Sequence, residues 1–537
     1  MMQLCQFLSP RWQKVIPYLL LTLAVFAAYC NVYNNEFLFD DGLLITRNDL
    51  LHYWSNLGQL FTSSTTDGAH IAGGFARPVQ IFLYFLVYQF AGESTVGFHL
   101  LNIVIHAANA CLIYQLGKKL KFNLWASFFA ALIWAMHPIH TEAVTYMSAT
   151  ADGLWAFFCL LGIVILLPDF SWSKIFWVLP IFALGLFSKE TTVIFPLLVV
   201  ICMYLTSDQR LNPKTYLKTW PLWVAAGAYT VWRLTTTGYD GPETYRKMFD
   251  YPEYYSLKMY SEHFELRFYT FLATLPAYLQ LLVWPEGLHM ERSFRIFLNF
   301  MLGPALVGCG MLIAAVTLVI FGRGKYSLPL SWGLLWFGAA HFPDTGLLLA
   351  TNSLFLEHWM YLPTAGLFLG IAQPISLCLE LPNLQKLKPY AATIAVIIAA
   401  SLGTATFIQN RVWHDPITFY HHIFKYGVIS ARAHNNIALA YMDRKQVPEA
   451  IEEFRQAIAI SDTYAETHHN LAVALLNLPD RLQHVGEAID ELNKALAIDP
   501  NFYRSYIVLS QIYTFIGDSD DATLNREKAE KFLNKGY

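Results

Sequence analysis

The sequence contains few charged residues for its length. Lys, Arg, Asp and Glu make up 14% of the 537 residues, and 55% are hydrophobic, whereas a soluble protein is about 25% charged. A wholly soluble chain is therefore excluded. A disordered chain is excluded as well, because disordered chains are rich in charge and poor in apolar residues. The formal net charge of −3 provides no basic field that would attract nucleic acid, so no nucleic-acid partner is expected.

Cysteine is also scarce, and its spacing indicates no site. There are seven cysteines, the last at Cys378, and no pair has the spacing of a metal-binding or redox motif. We interpret them as small buried hydrophobic residues rather than as a disulfide framework.

The few charges are unevenly distributed along the chain. Residues 409–537 contain 13 Lys and Arg and 17 Asp and Glu, which is 23% of that segment, whereas 11% of residues 1–408 are charged. We therefore predict two domains, a membrane domain at 1–408 and a soluble domain at 409–537.

Apolar runs in the first domain predict an all-α, polytopic membrane helix bundle. A spanning helix needs about 20 mostly apolar residues, and about eleven segments qualify. They are approximately 14–33, 96–117, 123–140, 150–168, 173–188, 190–206, 217–236, 296–321, 329–349, 360–380 and 389–408. Two further apolar segments, 78–91 and 264–284, are predicted to lie at the outer interface. For 264–284, a membrane span is the alternative.

Lys and Arg in short loops set the orientation, because they favour the cytoplasmic side. With a cytoplasmic N-terminus, the basic loops alternate correctly for eleven spans. The odd count places the C-terminal domain outside the cytoplasm. The opposite loop, 34–76, carries five acidic residues and one arginine, Arg47. The cytoplasmic loops would contain Lys118, Lys119, Lys121, Lys174, Arg210, Lys214, Lys218, Arg323, Lys325, Lys386 and Lys388.

Residues 431–529 contain about three repeats with a period of 34 residues. Small residues recur at Ala438, Ala472 and Ser510, and one insertion at 477–483 accounts for the longer spacing. Such spacing lets paired helices approach closely, and stacked pairs form a groove. We predict a tetratricopeptide-repeat α-solenoid that binds an extended peptide or a partner helix.

Four polar clusters fall on the outer side of this topology, where ionisable groups at membrane depth are usually functional. Asp40-Asp41 suits a base and a group that orients it or holds a cation, although solvated loop charges are the simpler alternative. His137, His140 and Glu142 have a spacing that could bind a metal, or they could be polar helix-end residues. Lys189 could neutralise a phosphate, or form a turn ion pair with Glu190.

The fourth cluster is Glu357-His358, which Arg292 could join as an anion ligand. Together the clusters would place carboxylates, imidazoles and cations at the membrane surface. That combination suits a lipid-linked phosphate donor, with a carboxylate that deprotonates a hydroxyl acceptor.

These motifs resemble those of the transmembrane and tetratricopeptide-repeat O-mannosyltransferases, which are membrane glycosyltransferases of the GT-C type. One departure is Glu357-His358, where the family pattern has Glu-Arg. The matching segments are Phe37-Leu38-Phe39-Asp40-Asp41, Arg77-Pro78, Gly97-Phe98-His99-Leu100-Leu101-Asn102 with His106, His137-Pro138-Ile139-His140-Thr141-Glu142-Ala143-Val144, Ser188-Lys189-Glu190-Thr191 and Tyr361-Leu362-Pro363-Thr364-Ala365-Gly366.

The resemblance implies inverting transfer of mannose or another hexose from a polyprenyl-phosphate donor to Ser or Thr of a protein bound by the repeats. Asp40 would be the base, Asp41 would orient it or help hold Mg²⁺ or Mn²⁺ together with Glu142, and Glu142 would lie near the donor. The phosphate ligands would be Lys189, Arg292 and Arg77. The pocket would be lined by His137, His140, Glu190, Glu357, His358 and Tyr361.

Two other functions stay open at this stage. One is transfer of the sugar to a lipid or cell-envelope glycan, and the other is a membrane-anchored scaffold without activity. The compact three-repeat form favours a bacterial inner membrane with periplasmic repeats. An endoplasmic reticulum membrane with lumenal repeats is the alternative.

Overall fold

The computed structural model describes residues 10–69, 76–207, 210, 212–236, 257–292, 294–351 and 353–533. Its regular structure within those ranges is helical, with no strand, which confirms the all-α prediction. The chain forms two compact units. Among the described residues, the first unit contains those up to Thr236 and Tyr260–Asp415, and the second contains 257–259 and those from Pro416 onwards.

The first unit is a multi-pass membrane bundle. Six of its described helical segments are long and apolar enough to cross a membrane, and five shorter apolar helices accompany them. The α-helices are α1 Pro10–Ala28, α2 Pro78–Ala91, α3 Thr95–Lys119, α4 Leu124–Met136, α5 Thr141–Thr145, α6 Thr150–Leu166, α7 Trp172–Leu186, α8 Phe195–Thr206, α9 Trp220–Thr236, α10 Leu257–Glu262, α11 Phe264–Val283, α12 Gly303–Phe321, α13 Ser327–His341, α14 Tyr361–Cys378 and α15 Lys388–Gln409.

Two predicted spans were too long at their C-terminal ends. The helix expected at 123–140 ends at Met136 and is followed by a 3₁₀ turn, Pro138–His140. The helix expected at 329–349 ends at His341, where Phe342–Asp344 forms another 3₁₀ turn. Proline lacks the N–H that would continue an α-helix and disfavours the α conformation in the residue before it. Both corrections place polar residues in turns instead of in the predicted helices.

Helix α11 coincides with the segment predicted to lie at the outer interface. It has 20 residues and is long enough to span, and it packs against α12, where a Cβ atom at Gly308 would meet the Leu272 backbone. Tyr278 stacks on Phe355 with ring centroids 4.0 Å apart, and the Leu282 carbonyl oxygen lies 3.1 Å from His137 Nε2. Both the interfacial placement and the alternative span therefore stay predictions, as does the number of spans.

Glycines bring α13 and α14 into close contact. A Cβ atom at Gly333 would lie 2.9 Å from the Gly366 carbonyl oxygen, and one at Gly370 would lie 2.8 Å from the Gly333 Cα. Small residues allow membrane helices to pack backbone against backbone. The fully buried Trp332 and Trp336 flank Gly333 on α13. This contact holds α13 against α14. The turn that ends at Asp344 follows α13, and Glu357-His358 precedes α14.

The second unit contains the predicted repeats. Its paired helices pack through small residues, since Ala438, Ala450, Ala472 and Ala488 are fully buried. The insertion contains a 3₁₀ turn, Arg481–Gln483. The helices are α16 Pro416–Phe424, α17 Ala431–Asp443, α18 Val447–Ile460, α19 Ala465–Leu476, α20 Val485–Ile498, α21 Tyr503–Ile516 and α22 Ser519–Leu533.

Candidate active site

The acidic pair lies in a strained turn between α1 and α2. Phe39 has a φ of +50°, a conformation that is unusual for a bulky side chain and recurs at functional sites. The Asp40 N–H donates to the Tyr146 hydroxyl at 3.0 Å, and the Asp40 side chain is partly exposed. The turn therefore leaves Asp40 at the surface of the site, while its backbone is held in place.

Asp41, in contrast, is fully buried. Its Oδ2 accepts the Leu38 N–H at 2.9 Å, and its Oδ1 accepts the Ser148 N–H at 2.8 Å and the Ser148 hydroxyl. Burial raises the pKa of the Asp41 carboxyl to about 7, against the opposing effect of these hydrogen bonds. Because both oxygens are occupied and no surface is exposed, Asp41 shapes the turn, and Asp40 is the member of the pair that a substrate can reach.

The segment around Ser148 connects this turn to α2. Gln80 donates to the Ser148 carbonyl oxygen at 2.9 Å, and the Tyr84 hydroxyl donates to the Met147 carbonyl oxygen at 2.7 Å. Buried polar groups that satisfy each other in this way form a rigid unit. Helix α2 therefore supports the acidic turn indirectly, because it holds the Met147–Ser148 backbone to which Asp41 is hydrogen-bonded.

Lys189 forms a buried ion pair with Asp152. Lys189 Nζ lies 2.6 Å from Asp152 Oδ1, and the two side chains are 9% and 7% exposed. Lys189 comes at the turn after α7, and Asp152 lies in the first turn of α6. A lysine buried to this extent needs its partner to stay charged.

The neighbouring Glu190 is held by two arginines. Arg77 Nη2 lies 3.0 Å from one Glu190 carboxylate oxygen, and Arg233 Nη2 lies 3.8 Å from the other. Arg77 immediately precedes α2, and Arg233 is near the end of α9. The pair Lys189-Glu190 therefore does not form one turn ion pair, since each residue has a partner from a distant part of the chain.

A second group of ion pairs joins Glu142 and Glu357 to their partners. His358 Nδ1 lies 2.9 Å from Glu142 Oε1, and the His358 N–H donates to Glu142 Oε2 at 3.0 Å. Glu357 Oε1 accepts from Arg292 Nη2 at 2.7 Å and from the His289 N–H at 2.9 Å. His358 therefore occupies the place of the expected arginine and acts as the partner of Glu142.

Asp344 completes this charged network, and the sequence interpretation missed it. It follows α13 and interacts electrostatically with Lys189, Asp152, His358 and Arg77. The charged groups at this end of the bundle thus form one connected set, here called the ion network. Its members are Arg77, Glu142, Asp152, Lys189, Glu190, Arg233, Arg292, Asp344, Glu357 and His358.

Three of the predicted pocket residues lie in an aromatic cluster. The His106 Nδ1 and the Asn109 amide bond to the Tyr361 hydroxyl at 2.7 and 3.2 Å. His137 caps the turn that follows it, since its Nδ1 accepts the Ile139 N–H at 3.2 Å. His140 is fully buried, and neither ring nitrogen has a hydrogen-bond partner among the residues that the structure describes. His137 therefore stabilises the turn that follows it, and the pocket roles of His137, His140 and Tyr361 stay predictions.

The arrangement does not suit Asp41 and Glu142 as joint metal ligands. Both oxygens of each carboxylate already face donors, and the described ranges contain no group of three or more candidate ligands. The divalent cation stays a prediction that a metal titration can test.

The cations of the ion network are paired with carboxylates, but some of their donor groups are not used by these pairs. Each predicted phosphate ligand has a carboxylate partner, because Lys189 pairs with Asp152, Arg77 with Glu190 and Arg292 with Glu357. Among the described residues, Lys189 Nζ uses one of its three donor hydrogens, in the bond to Asp152, and Arg292 Nε has no hydrogen-bond partner. These donors could bind a phosphate without losing the existing ion pairs.

Comparison with known proteins agrees with this architecture. A family profile described as "TPR repeat" matches residues 438–478. The chain is 24% identical to "Protein O-mannosyl-transferase F38B6.6" of Caenorhabditis elegans, over 82% of this chain and 62% of that protein. It is also 24% identical to "Protein O-mannosyl-transferase TMTC3" of Mus musculus, over 86% of this chain and 52% of that protein.

Local similarity is higher in one relative. "Protein O-mannosyl-transferase TMTC2" of Mus musculus is 33% identical over 147 residues, which cover 26% of this chain and 17% of that protein. Across the two longer matches above, the chain spans about half to three fifths of the relative's length. The chain is thus a multi-pass membrane protein with a tetratricopeptide repeat that is similar, over most of its length, to the protein O-mannosyl-transferases.

Proposed function

We propose that this chain is a glycosyltransferase that moves a hexose, mannose in the first instance, from a polyprenyl-phosphate donor to Ser or Thr hydroxyls of a protein. The names of its relatives support protein glycosylation. The observation that carries the proposal is the ion network, a connected set of largely buried charges within the membrane unit. A bundle that served only as an anchor would not need so many buried charges.

Asp40 is proposed as the catalytic base. It is the partly exposed member of the pair, and its backbone is fixed by Tyr146. The acceptor oxygen would attack the anomeric carbon from the face opposite the phosphate, while Asp40 takes the hydroxyl proton. The bond from the anomeric carbon to the phosphate oxygen breaks, and the transferred sugar has an inverted configuration.

The leaving polyprenyl phosphate would depart as an anion stabilised by the cations of the network. Lys189 is the first candidate, because its ammonium group is buried beside Asp152 and a buried charge interacts strongly with a phosphate. Arg292 and Arg77 are further candidates. Asp152, Glu190 and Glu357 would hold these cations in position before the donor binds.

The acceptor polypeptide is proposed to bind the repeats. Tetratricopeptide repeats stack into a groove that fits extended peptides. Under the predicted topology, the repeats and the outer clusters face the same compartment, which is the periplasm or the lumen of the endoplasmic reticulum.

The proposal is tested by comparing cells with and without this chain. Mass spectrometry of exported proteins should show hexose on Ser or Thr that is lost when the chain is deleted. The wild-type chain should restore it, and Asp40→Asn should not. Asp49→Asn is the matched control, because Asp49 lies on the same loop with its side chain 64% exposed. Full restoration by Asp40→Asn would contradict the assignment.

Deleting residues 431–537 separates this proposal from transfer to a glycolipid. Loss of protein glycosylation is expected if the repeats bind the acceptor. If a glycolipid product survived the deletion and no protein lost its hexose, the acceptor would be a lipid or an envelope glycan.

A further inference from the structure

Asp344 differs from the other buried carboxylates of the membrane unit. Asp41, Glu142, Asp152 and Glu357 each accept from a cation or from an N–H or O–H donor at hydrogen-bond distance. Asp344 is 8% exposed, and it has no hydrogen bond or ion pair with a residue in the described ranges. A carboxylate that is buried without a donor is costly, so its place calls for a ligand.

The position of Asp344 directs it to the candidate site. It forms the end of the 3₁₀ turn after α13, and it interacts electrostatically with Lys189, Asp152 and His358. Tyr278 interacts electrostatically with Asp344 as well as with Glu142 and Glu357. The turn Phe342–Asp344 also packs against the 3₁₀ turn Glu190–Ile194, which directly follows Lys189, so Asp344 lies among the groups that the proposed function assigns to the donor.

The surroundings of Asp344 favour one class of ligand. A metal ion is disfavoured because the Lys189 ammonium group, paired with Asp152, already supplies positive charge beside the carboxylate. A phosphate is disfavoured because it would carry the same charge as Asp344. A polyhydroxyl group fits, since its O–H groups donate to a carboxylate and add no charge.

We propose that Asp344 binds hydroxyl groups of the donor sugar and sets the preference of the enzyme for one hexose over another. This inference rests on the proposed function, which supplies the sugar-bearing lipid. Its consequence is that Asp344 contributes to binding of the sugar and not to binding of the phosphate or the lipid chain. A site that is built to hydrogen-bond a substrate hydroxyl discriminates strongly against an analogue that lacks it.

The test measures binding of two lipids to the full chain in nanodiscs, without an acceptor. The probes are polyprenyl-phosphate mannose and polyprenyl phosphate without sugar. Asp344→Asn should weaken binding of the mannose-bearing lipid by about 10- to 100-fold and leave binding of polyprenyl phosphate within about twofold of wild type. Glu380→Gln is the control, because Glu380 is exposed after α14 and accepts from Asn123.

A second readout separates a ligand-binding role from a structural one. Because Asp344 lacks a donor, Asp344→Asn should keep or raise the unfolding temperature, whereas loss of a structural carboxylate would lower it. Asp344→Glu provides a charged variant with a displaced carboxylate. It should bind polyprenyl phosphate normally and lose the preference for the mannose-bearing lipid over its glucose counterpart.

Each outcome has a defined meaning. Equal weakening of both lipids, or unchanged binding of both, would overturn the role of Asp344 while the proposed function stands. Mn²⁺ could also strengthen binding of both lipids to the wild type but not to Asp344→Asn. That result would identify Asp344 as a metal ligand and overturn the sugar assignment. A wild-type chain that binds no sugar-bearing lipid would overturn the proposed function together with this inference.

Discussion

Lys189 and Asp152 form a buried ion pair in which Nζ and Oδ1 are 2.6 Å apart. Removing one partner of such a pair leaves an uncompensated charge, which costs about 3–5 kcal/mol. We expect Lys189→Met and Asp152→Asn each to lower the free energy of unfolding by about this amount. The double variant should be destabilised by much less than the sum of the single variants. The measurement is a double-mutant cycle by denaturant unfolding in detergent, and additive effects would show that the pair does not form.

The contacts of Asp41 predict a structural role that Asp40 does not share. An asparagine at position 41 would turn its NH₂ group towards the N–H of Leu38 or Ser148, which costs about 1–3 kcal/mol. Asp41→Asn and Ser148→Ala should therefore both lower the unfolding temperature, while Asp49→Asn on the same loop should not. Thermal unfolding of the solubilised chain measures this. If Asp41→Asn unfolded at the wild-type temperature, the turn would not depend on these hydrogen bonds.

The close approach of α13 and α14 predicts a sharp difference between two glycines on one helix. Gly333→Ala places a methyl group 2.9 Å from the Gly366 carbonyl oxygen, whereas Gly338 has no neighbouring atom within 4 Å of its Cβ position. Overpacking of this kind costs about 1–3 kcal/mol. We expect Gly333→Ala to lower the unfolding temperature and Gly338→Ala to leave it unchanged. Equal behaviour of the two variants would contradict the helix contact.

The repeat unit contains a histidine that should make its stability depend on pH. His468 is 1% exposed, with its ring nitrogens 2.5 Å from Glu491 and 2.6 Å from Asp462. Burial alone would lower the pKa of His468, but the hydrogen bonds and charges of these two carboxylates raise it above its ordinary value of 6.5. Burial would likewise raise the pKa of Glu491, but the hydrogen bonds from His468 and Lys494 lower it.

The sign of the pH effect follows from these directions. The stabilisation from His468 is fully present below pH 6.5 and is lost as the pH rises through the raised pKa of the folded state. Protection of α19 and α20 from hydrogen exchange in the full chain, corrected for the intrinsic rate, should therefore fall as the pH rises above 6.5. His468→Gln should remove this dependence. His484→Gln is the control, because His484 lies 3.5 Å from its nearest carboxylate, and a pH dependence unchanged in His468→Gln would refute the assignment.

Local patterns in the sequence predicted the helices and the repeats but not the ion pairs. An apolar run or a 34-residue period acts within one element, and it indicates that element directly. Arg77 and Glu190 are 113 residues apart, and His358 and Glu142 are 216 apart. Their pairing depends on how the bundle folds, which local patterns do not show. The sequence therefore leaves open a local ion pair between Lys189 and Glu190. In the structure, each of these residues pairs with a distant one.

For Asp152 and Asp344, the sequence itself contains a pattern that indicates a functional carboxylate. Both are acidic residues at the ends of apolar runs, and ionisable groups in such places are expected to be functional. Asp344 also follows Pro343, which marks the end of a helix. The predicted span at 329–349 extends past this proline. It therefore includes Asp344, which in the structure lies in the turn after the helix.

The central claim is that the Asp40 turn and the ion network transfer a sugar from a lipid phosphate to protein. The most direct measurement is the mass of a Ser/Thr peptide incubated with the purified full chain and polyprenyl-phosphate mannose. We expect one added hexose with the wild type, and a rate reduced at least about 100-fold with Asp40→Asn, whose unfolding temperature should match the wild type. Unchanged transfer by Asp40→Asn, or no hexose with the wild-type chain, would contradict the account.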